Sequence, residues 1–268
     1  MTACTHRQGC THCGASARSR WPNGCCGQRT DPLHGHDSPR PSPTLPATQA
    51  RQIAMAFRPA SRWGNRRNQY YVRFKLTGDP LYRGVLDALP TDHLPVLDLG
   101  CGLGLLAHVL RQHARGQAYT GVDVDTAKIR QATCAAATSR LAQVRFESLD
   151  LRGPLPPHAG HVALLDVLQY LDLPAQHRLL ARAAAAVAPG GRLILRTPLA
   201  NKDGRDQITR LGDRLAWRIG WMRTRPHHYP VEADLREALR AAGLQATAAR
   251  PLHGRTPFNS WLLVAERP

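Results

Sequence analysis

The sequence predicts an α/β fold: a doubly wound, mostly parallel sheet with an antiparallel terminal strand and a helical cap on its N-terminal side. Three observations carry that prediction. From residue 95 onward, short apolar runs alternate with helical patterns, as parallel strands joined by crossover helices require. The first run, Val96-Leu97-Asp98-Leu99, breaks into Gly100-Cys101-Gly102-Leu103-Gly104, and a helical pattern follows at once. The last two runs, 244–252 and 260–265, succeed one another with no helix between them and suit an antiparallel pair.

Residues 1–54 show no hydrophobic periodicity and are rich in Pro, Gly, Ser, Thr and Arg. Such a segment buries too little apolar surface to offset its ordering entropy, and disorder is expected. The character changes at Met55, which makes that residue a candidate translation start, the earlier residues then being upstream sequence read in frame. Residues 55–90 are basic, aromatic and helical in pattern, with Tyr70, Tyr71, Val72 and Phe74 close together. Asp79-Pro80 reads as an N-cap with proline at the first helical position, and Leu81, Val85, Leu86 and Leu89 form one apolar stripe.

The main domain then spans 91–268. Strand one is 95–99, and its helix runs from the glycine turn to about His113. Strand two is 118–122, ending at Asp123; Asp125 caps the helix 126–137. Strand three is 143–147, followed by Asp150-Leu151. Strand four is 161–165, followed by Asp166 and Gln169-Tyr170. An Ala/Leu/Arg helix over 174–187 leads to Ala188-Pro189-Gly190-Gly191 and strand five at 192–197. After an insertion at 201–231, a helix over 232–242 is stopped by Gly243. With the closing pair, seven strands are expected.

Composition narrows the function classes. No apolar run approaches the roughly 18–20 residues that cross a bilayer, and a secretory h-region is missing, so a cytoplasmic protein is expected. The net charge of +17 would suit nucleic acid, but only Lys75, Lys128 and Lys202 are lysines. An arginine-rich, alanine-rich chain equally reflects codon bias, and nucleic acid is not favoured. Cys10-x-x-Cys13, with Cys25-Cys26 and nearby histidines, is a fragment of a zinc pattern that lacks a second C-x-x-C, so no metal is assigned. Cys101 and Cys134 read as small buried residues.

The glycine turn carries the chemistry. Gly102-x-Gly104-x-x-Ala107 fits the loose dinucleotide pattern, but Asp98 stands two residues before the first glycine, where it would repel a pyrophosphate. Asp98-x-Gly100-x-Gly102-x-Gly104 resembles motif I of class I S-adenosylmethionine-dependent methyltransferases. Ala188-Pro189-Gly190-Gly191-Arg192-Leu193-Ile194-Leu195 and the closing strand pair also resemble that family, and the resemblance covers roughly 70–268. It implies a Rossmann-like sheet and S-adenosylmethionine as cofactor.

Asp98, Gly100, Cys101, Gly102 and Gly104 would then line the methionine end. Asp123, 19 residues beyond Gly104 (123 − 104), would lie beside the turn and accept the ribose hydroxyls, at about 1.5–3 kcal/mol per charged hydrogen bond. NAD ribose uses the same chemistry. The family would use Asp150 for the adenine amino group, Val124 or Leu151 against the ring, and Asp166 through Gln169 for the methionine part. Its N-terminal helices often cover the cofactor.

The acceptor is read from negative signals first. Strand four is followed by Asp166-Val167-Leu168-Gln169-Tyr170, not the Asn/Asp-Pro-Pro-Tyr/Phe of adenine methyltransferases, and no Pro-Cys pair marks cytosine methylation. A small-molecule acceptor leads. In 201–231, Ile208, Leu211, Leu215, Ile219 and Met222 share one helical face, while Trp217 and Trp221 lie among Arg210, Arg214 and Arg218. That basic helix over 205–222 suits an acidic acyl carrier protein or a membrane surface. His227 and His228 are candidate general bases for a phenol. Tyr70-Tyr71-Val72-Arg73-Phe74 through Asp79-Pro80-Leu81-Tyr82 is similar to methyltransferases of bacterial aryl-polyene or xanthomonadin-type pigment pathways, implying an aryl or polyene acceptor. The competing classes are an NAD(P)-dependent oxidoreductase, an RNA-directed methyltransferase and a non-catalytic binding protein.

Overall fold

The computed structural model describes residues 43–59, 61, 64–200, 227–254, 256 and 259–268. Five parallel strands form the centre of the sheet: β1 (Val96–Leu99), β2 (Tyr119–Asp123), β3 (Val144–Ser148), β4 (His161–Leu165) and β5 (Arg192–Pro198). β6 (Gln245–Ala246), β7 (Arg250–Pro251) and β8 (Ser260–Glu266) complete it. The order is β3-β2-β1-β4-β5-β8-β6, with β7 also on β8 and β8 antiparallel to β5. The chain order reverses between β1 and β4, which opens a crevice at the carboxyl ends of those strands.

Strand alternation divides the core. Val96, Tyr119, Ala163, Ile194 and Leu262 pack under α1 (Ala47–Met55), α2 (Arg67–Gly78), α3 (Leu81–Ala88) and α4 (Leu105–Gln112). Leu97, Leu99, Leu164, Leu193 and Leu195 face the other way, onto α6 (Leu173–Ala185) and α7 (Glu232–Ala241). α5 (Thr126–Thr138) packs by β3 and β2 and starts where expected, with Asp125 Oδ1 accepting the N–H groups of Ala127 and Lys128. α3 buries Leu81, Val85 and Leu86, at about 1.5–3 kcal/mol for each such side chain. At the opposite end of the sheet, buried His161 accepts the Arg192 N–H on Nδ1 and bonds Asp92 through Nε2.

Several expectations are corrected. All but the last residue of α1 lies in the stretch 1–54, where composition predicts disorder; Leu45, Ala50, Ile53 and Ala54 are buried in the core, and the helix packs on α2 and α4. A nine-residue helix is marginal alone, and here tertiary contact stabilises it. The packed unit thus includes residues that a boundary at Met55 leaves out. The strand expected over 244–252 is split, because five residues on one side, from Ala246 to Arg250, face four on β8, from Ala265 to Leu262. The Ala249 N–H leaves the ladder and bonds the Glu232 carboxylate instead. Eight strands therefore fill the seven expected positions. Cys134 is exposed rather than buried, since it lies on the outer face of α5. The cysteine-rich stretch before residue 43 and the basic helix expected over 205–222 lie outside the described residues. Among the described residues no helix is long and apolar enough to cross a membrane.

Candidate active site

The turn after β1 is built from three glycines at positive φ, +82° at Gly100, +56° at Gly102 and +69° at Gly104. Their surroundings differ. A Cβ on Gly100 would come within 2.4 Å of Val167 and one on Gly104 within 2.4 Å of the Phe146 ring, whereas one on Gly102 would meet nothing within 4 Å. Gly100 and Gly104 thus let the turn pack on its neighbours, and Gly102 presents bare backbone to the crevice. The Gly100 and Cys101 N–H groups both donate to the Val122 carbonyl, at 2.8 and 2.9 Å, which fixes the turn to the end of β2. Burial pushes the Cys101 thiol far up, so it is an inert packing group.

Asp123 stands beside this turn. Its Oδ2 accepts the Gly102 N–H at 2.9 Å and its Oδ1 the Asp125 N–H at 2.8 Å. A carboxylate has about four acceptor positions, so two hydroxyls can still be received there. Val124, next to it, is 67% exposed. Leu149 N–H donates to the Asp123 carbonyl at 3.0 Å, which draws the end of β3 toward the same corner. There Asp150 is exposed and holds the Arg152 N–H, while Leu151 is buried among the α6 side chains. Of the two candidates for packing on a base, Val124 therefore presents a surface and Leu151 does not.

Asp98 is buried on β1. The Tyr119 hydroxyl donates to its Oδ2 at 2.6 Å, while Oδ1 has no hydrogen-bond partner. Burial raises its pKa to about 7, the Tyr119 hydrogen bond opposes that rise, and the nearby Asp123 charge adds to it. Tyr119 was read from the sequence only as a strand residue. The signal lay in the register: Asp98 pairs with Gly121, which places Tyr119 at the diagonal position on the same face, within reach of a long side chain.

Asp166, after β4, has φ +57°, a left-handed backbone rare outside glycine. Its N–H donates to the Arg196 carbonyl at 2.8 Å, its carbonyl accepts Gln169 Nε2 at 3.1 Å, and its Oδ2 accepts Arg196 Nη1 at 3.0 Å. Arg196, buried within β5, also donates to Asp79 Oδ2 at 2.9 Å. Lys75 Nζ lies 2.6 Å from Asp79 Oδ2 and 3.5 Å from Asp166 Oδ2. Although burial opposes their charges, the neighbouring opposite charges hold Lys75 and Arg196 above their usual range and Asp79 below it. Asp79 Oδ1 also accepts the Leu81 N–H from one residue before the cap position: α3 starts at Leu81 with Pro80 as its N-cap, so the N-cap expected at Asp79, with proline at the first helical position, falls one residue later. Lys75 and Arg196 carried no site signal in the sequence.

His227 and His228 come to the same place. Their N–H groups donate to the Gln169 carbonyl at 2.7 and 3.4 Å, and Gln176 Nε2 bonds the His228 carbonyl at 2.9 Å. The chain returning from 201–226 thus docks on the short 3₁₀ turn Leu168–Tyr170 beside α6.

Three buried acceptors in this region have no hydrogen-bond partner: Asp98 Oδ1, Asp166 Oδ1 and Gln169 Oε1. Together with the bare backbone at Gly102 and the second acid at Asp123, they fit a cationic nucleoside with ammonium and hydroxyl groups. Among the described residues no cluster of three or more metal-ligating side chains occurs.

Comparison with known proteins agrees with this geometry. Residues 67–249 match the model of a family described as a methyltransferase domain. A ubiquinone biosynthesis O-methyltransferase of Methylobacterium nodulans (strain LMG 21967 / CNCM I-2342 / ORS 2060) is 28% identical over 196 residues, 67% of this chain and 75% of the relative. A trans-aconitate 2-methyltransferase of Sinorhizobium medicae (strain WSM419) is 34% identical over 104 residues, 39% of this chain. The match spans only 38% of that relative's length. Among solved structures, magnesium protoporphyrin IX methyltransferase from Synechocystis PCC 6803, with bound S-adenosylhomocysteine (SAH), aligns with a TM-score of 0.56 at 25% identity. That alignment covers 82% of this chain and 94% of the other. With the family model covering most of the chain and the crevice placed at the glycine turn, the chain belongs to the methyltransferase-domain family.

Proposed function

We propose that this protein transfers a methyl group from S-adenosylmethionine to a small-molecule acceptor with an aromatic hydroxyl. The observation that carries the reading is the pair Asp98 and Asp123 on either side of Gly102, two acids and a bare backbone where a dinucleotide would need room for phosphates. S-adenosylmethionine supplies a methyl on a sulfonium: the sulfur–methyl bond breaks as the acceptor–methyl bond forms, leaving SAH. The chain's own work is positioning, since alignment of the reacting atoms supplies much of such a rate. Asp123 holds the ribose through the two oxygens that already order the turn, and Val124 offers the ring a surface. Asp98, Asp166 and Gln169 direct their open acceptors toward the ammonium end. Gly100, Cys101 and Gly104 shape the turn, and Asp150 stands at the adenine side.

On the acceptor side, His227 and His228 stand next to the Gln169 turn, where an imidazole receives the proton that a phenol gives up. An acidic carrier protein is the partner that Arg210, Arg214 and Arg218 suit. Two measurements test the reading. Calorimetry should show SAH binding and no NAD binding; the reverse would make the protein an oxidoreductase. Incubation with labelled methyl donor and small-molecule extract should give a labelled aryl ether, and label in RNA alone would overturn the acceptor class.

A further inference from the structure

The cluster formed by Lys75, Asp79, Arg196 and Asp166 joins parts of the chain far apart in sequence: α2, the α2–α3 joint, the middle of the sheet and the turn after β4. Two cations meet two carboxylates, with the Arg196 side chain 2% and the Asp79 side chain 11% exposed. Arg196 uses one nitrogen, Nη1, for both acids, at 2.9 Å to Asp79 and 3.0 Å to Asp166. Moving Asp79 therefore moves the atom that holds Asp166. Asp166 in turn is left-handed and needs that hold. The residue after it, Val167, lies directly against Gly100, and Gln169 bonds the Asp166 carbonyl and receives the His227 N–H. A continuous chain of contacts thus runs from the N-terminal cap to both sides of the crevice.

We infer that Asp79 and Arg196 are positioning residues: cap helices α2 and α3 set the Asp166–Gln169 turn through them, so that seating the cap and binding the cofactor are one coupled event. This rests on the methyltransferase reading of the crevice. Neither residue touches the cofactor; each acts through Asp166. By reciprocity, the cofactor must favour the seated cap as much as the seated cap favours the cofactor. α2 carries Arg67 and Arg73 on its exposed face, so trypsin reports on its seating.

The experiment is a double-mutant cycle on the full chain, with Asp79→Asn, Asp166→Asn and the pair. SAH affinity is read by calorimetry and cap seating by trypsin cleavage with and without SAH. Asp79→Asn should weaken SAH binding by about fivefold or more, the loss should largely vanish in the Asp166→Asn background, and SAH should protect α2 in the wild type far more than in Asp79→Asn. Lys75→Met removes a less buried partner of both acids, and serves if Asp79→Asn does not fold; its loss should also depend on Asp166. An unchanged affinity in both cap variants, or losses that simply add to that of Asp166→Asn, would overturn the coupling. Wild-type protein that binds no SAH would instead remove the methyltransferase reading, and this inference with it.

Discussion

The Tyr119 hydroxyl donates to Asp98 across the β1–β2 pair at 2.6 Å, and the second oxygen of that buried carboxyl is left without a partner. One tyrosine thus fixes which way the acid points, and burial raises its pKa to about 7, so both protonation states are populated near physiological pH.

Asp98 should make cofactor binding depend on pH. An ammonium group beside it favours the carboxylate, so binding should strengthen as pH rises through about 7 and release protons below that. Calorimetry in two buffers of different ionisation enthalpy measures the release. Asp98→Asn should bind SAH more weakly, and with no proton release from this site. Tyr119→Phe should keep the fold and raise the Asp98 pKa further, moving the profile to higher pH.

Stability carries an opposite pair of signals. Asp98 has a folded pKa raised from 3.8 to about 7, so the folded state binds the extra proton in that window and stability falls as pH rises through it. His108, buried on α4 with its ring centroid 5.4 Å from that of Phe57, is lowered by burial from 6.5 to about 4. Its unfolded form binds the proton, so stability is lost as pH falls from 6.5 toward 4. Each slope is on the order of 1 kcal/mol per pH unit. Denaturant titrations should show them separated: His108→Leu leaves stability falling with pH between 4 and 7, and Asp98→Asn leaves it rising.

Substitutions in the glycine turn should divide into two kinds. Gly104→Ala forces a Cβ within 2.4 Å of Phe146 and should lower the melting temperature markedly. Gly102→Ala meets no neighbour within 4 Å and pays only for its positive φ, about 1 kcal/mol. It should melt closer to the wild type yet bind SAH far more weakly, because its methyl enters the crevice. Parallel melting and binding measurements distinguish the two.

Asp123→Ala should weaken SAH binding by tenfold or more. It removes both the acceptor beside the turn and the anchor of the Gly102 N–H, each about 1–3 kcal/mol. Equal affinities for wild type and variant would remove Asp123 from the site.

For the histidines the measurement is turnover. Replacing His227 and His228 together by Ala should lower kcat by about a hundredfold or more if either takes the phenol proton, with SAH affinity nearly unchanged. Both side chains follow a backbone that the Gln169 carbonyl holds, so the loop itself should stay docked.

Much of the frame was legible in the chain because its signals are local. The apolar runs, the Asp125 cap, the αL glycine at Gly243 and the spacing of Asp98, Gly102 and Asp123 each depend on a few neighbouring residues. Where pattern was weak, the sequence misled. α1 has too little periodicity to outweigh its composition, and Cys134 was read by residue type rather than by helix face.

The sequence by itself therefore determined the alternating frame, the glycine turn and the two acids that flank it, since turn chemistry and strand period are properties of short segments. Only the tertiary structure decided what those acids touch. Tyr119 reaches Asp98 through strand register, Arg196 meets Asp79 and Asp166 because the cap lies over β5, and the His227 N–H finds Gln169 as the chain returns past α6. A buried arginine inside a strand is stable only where carboxylates from distant segments meet it, and no local pattern specifies such a meeting.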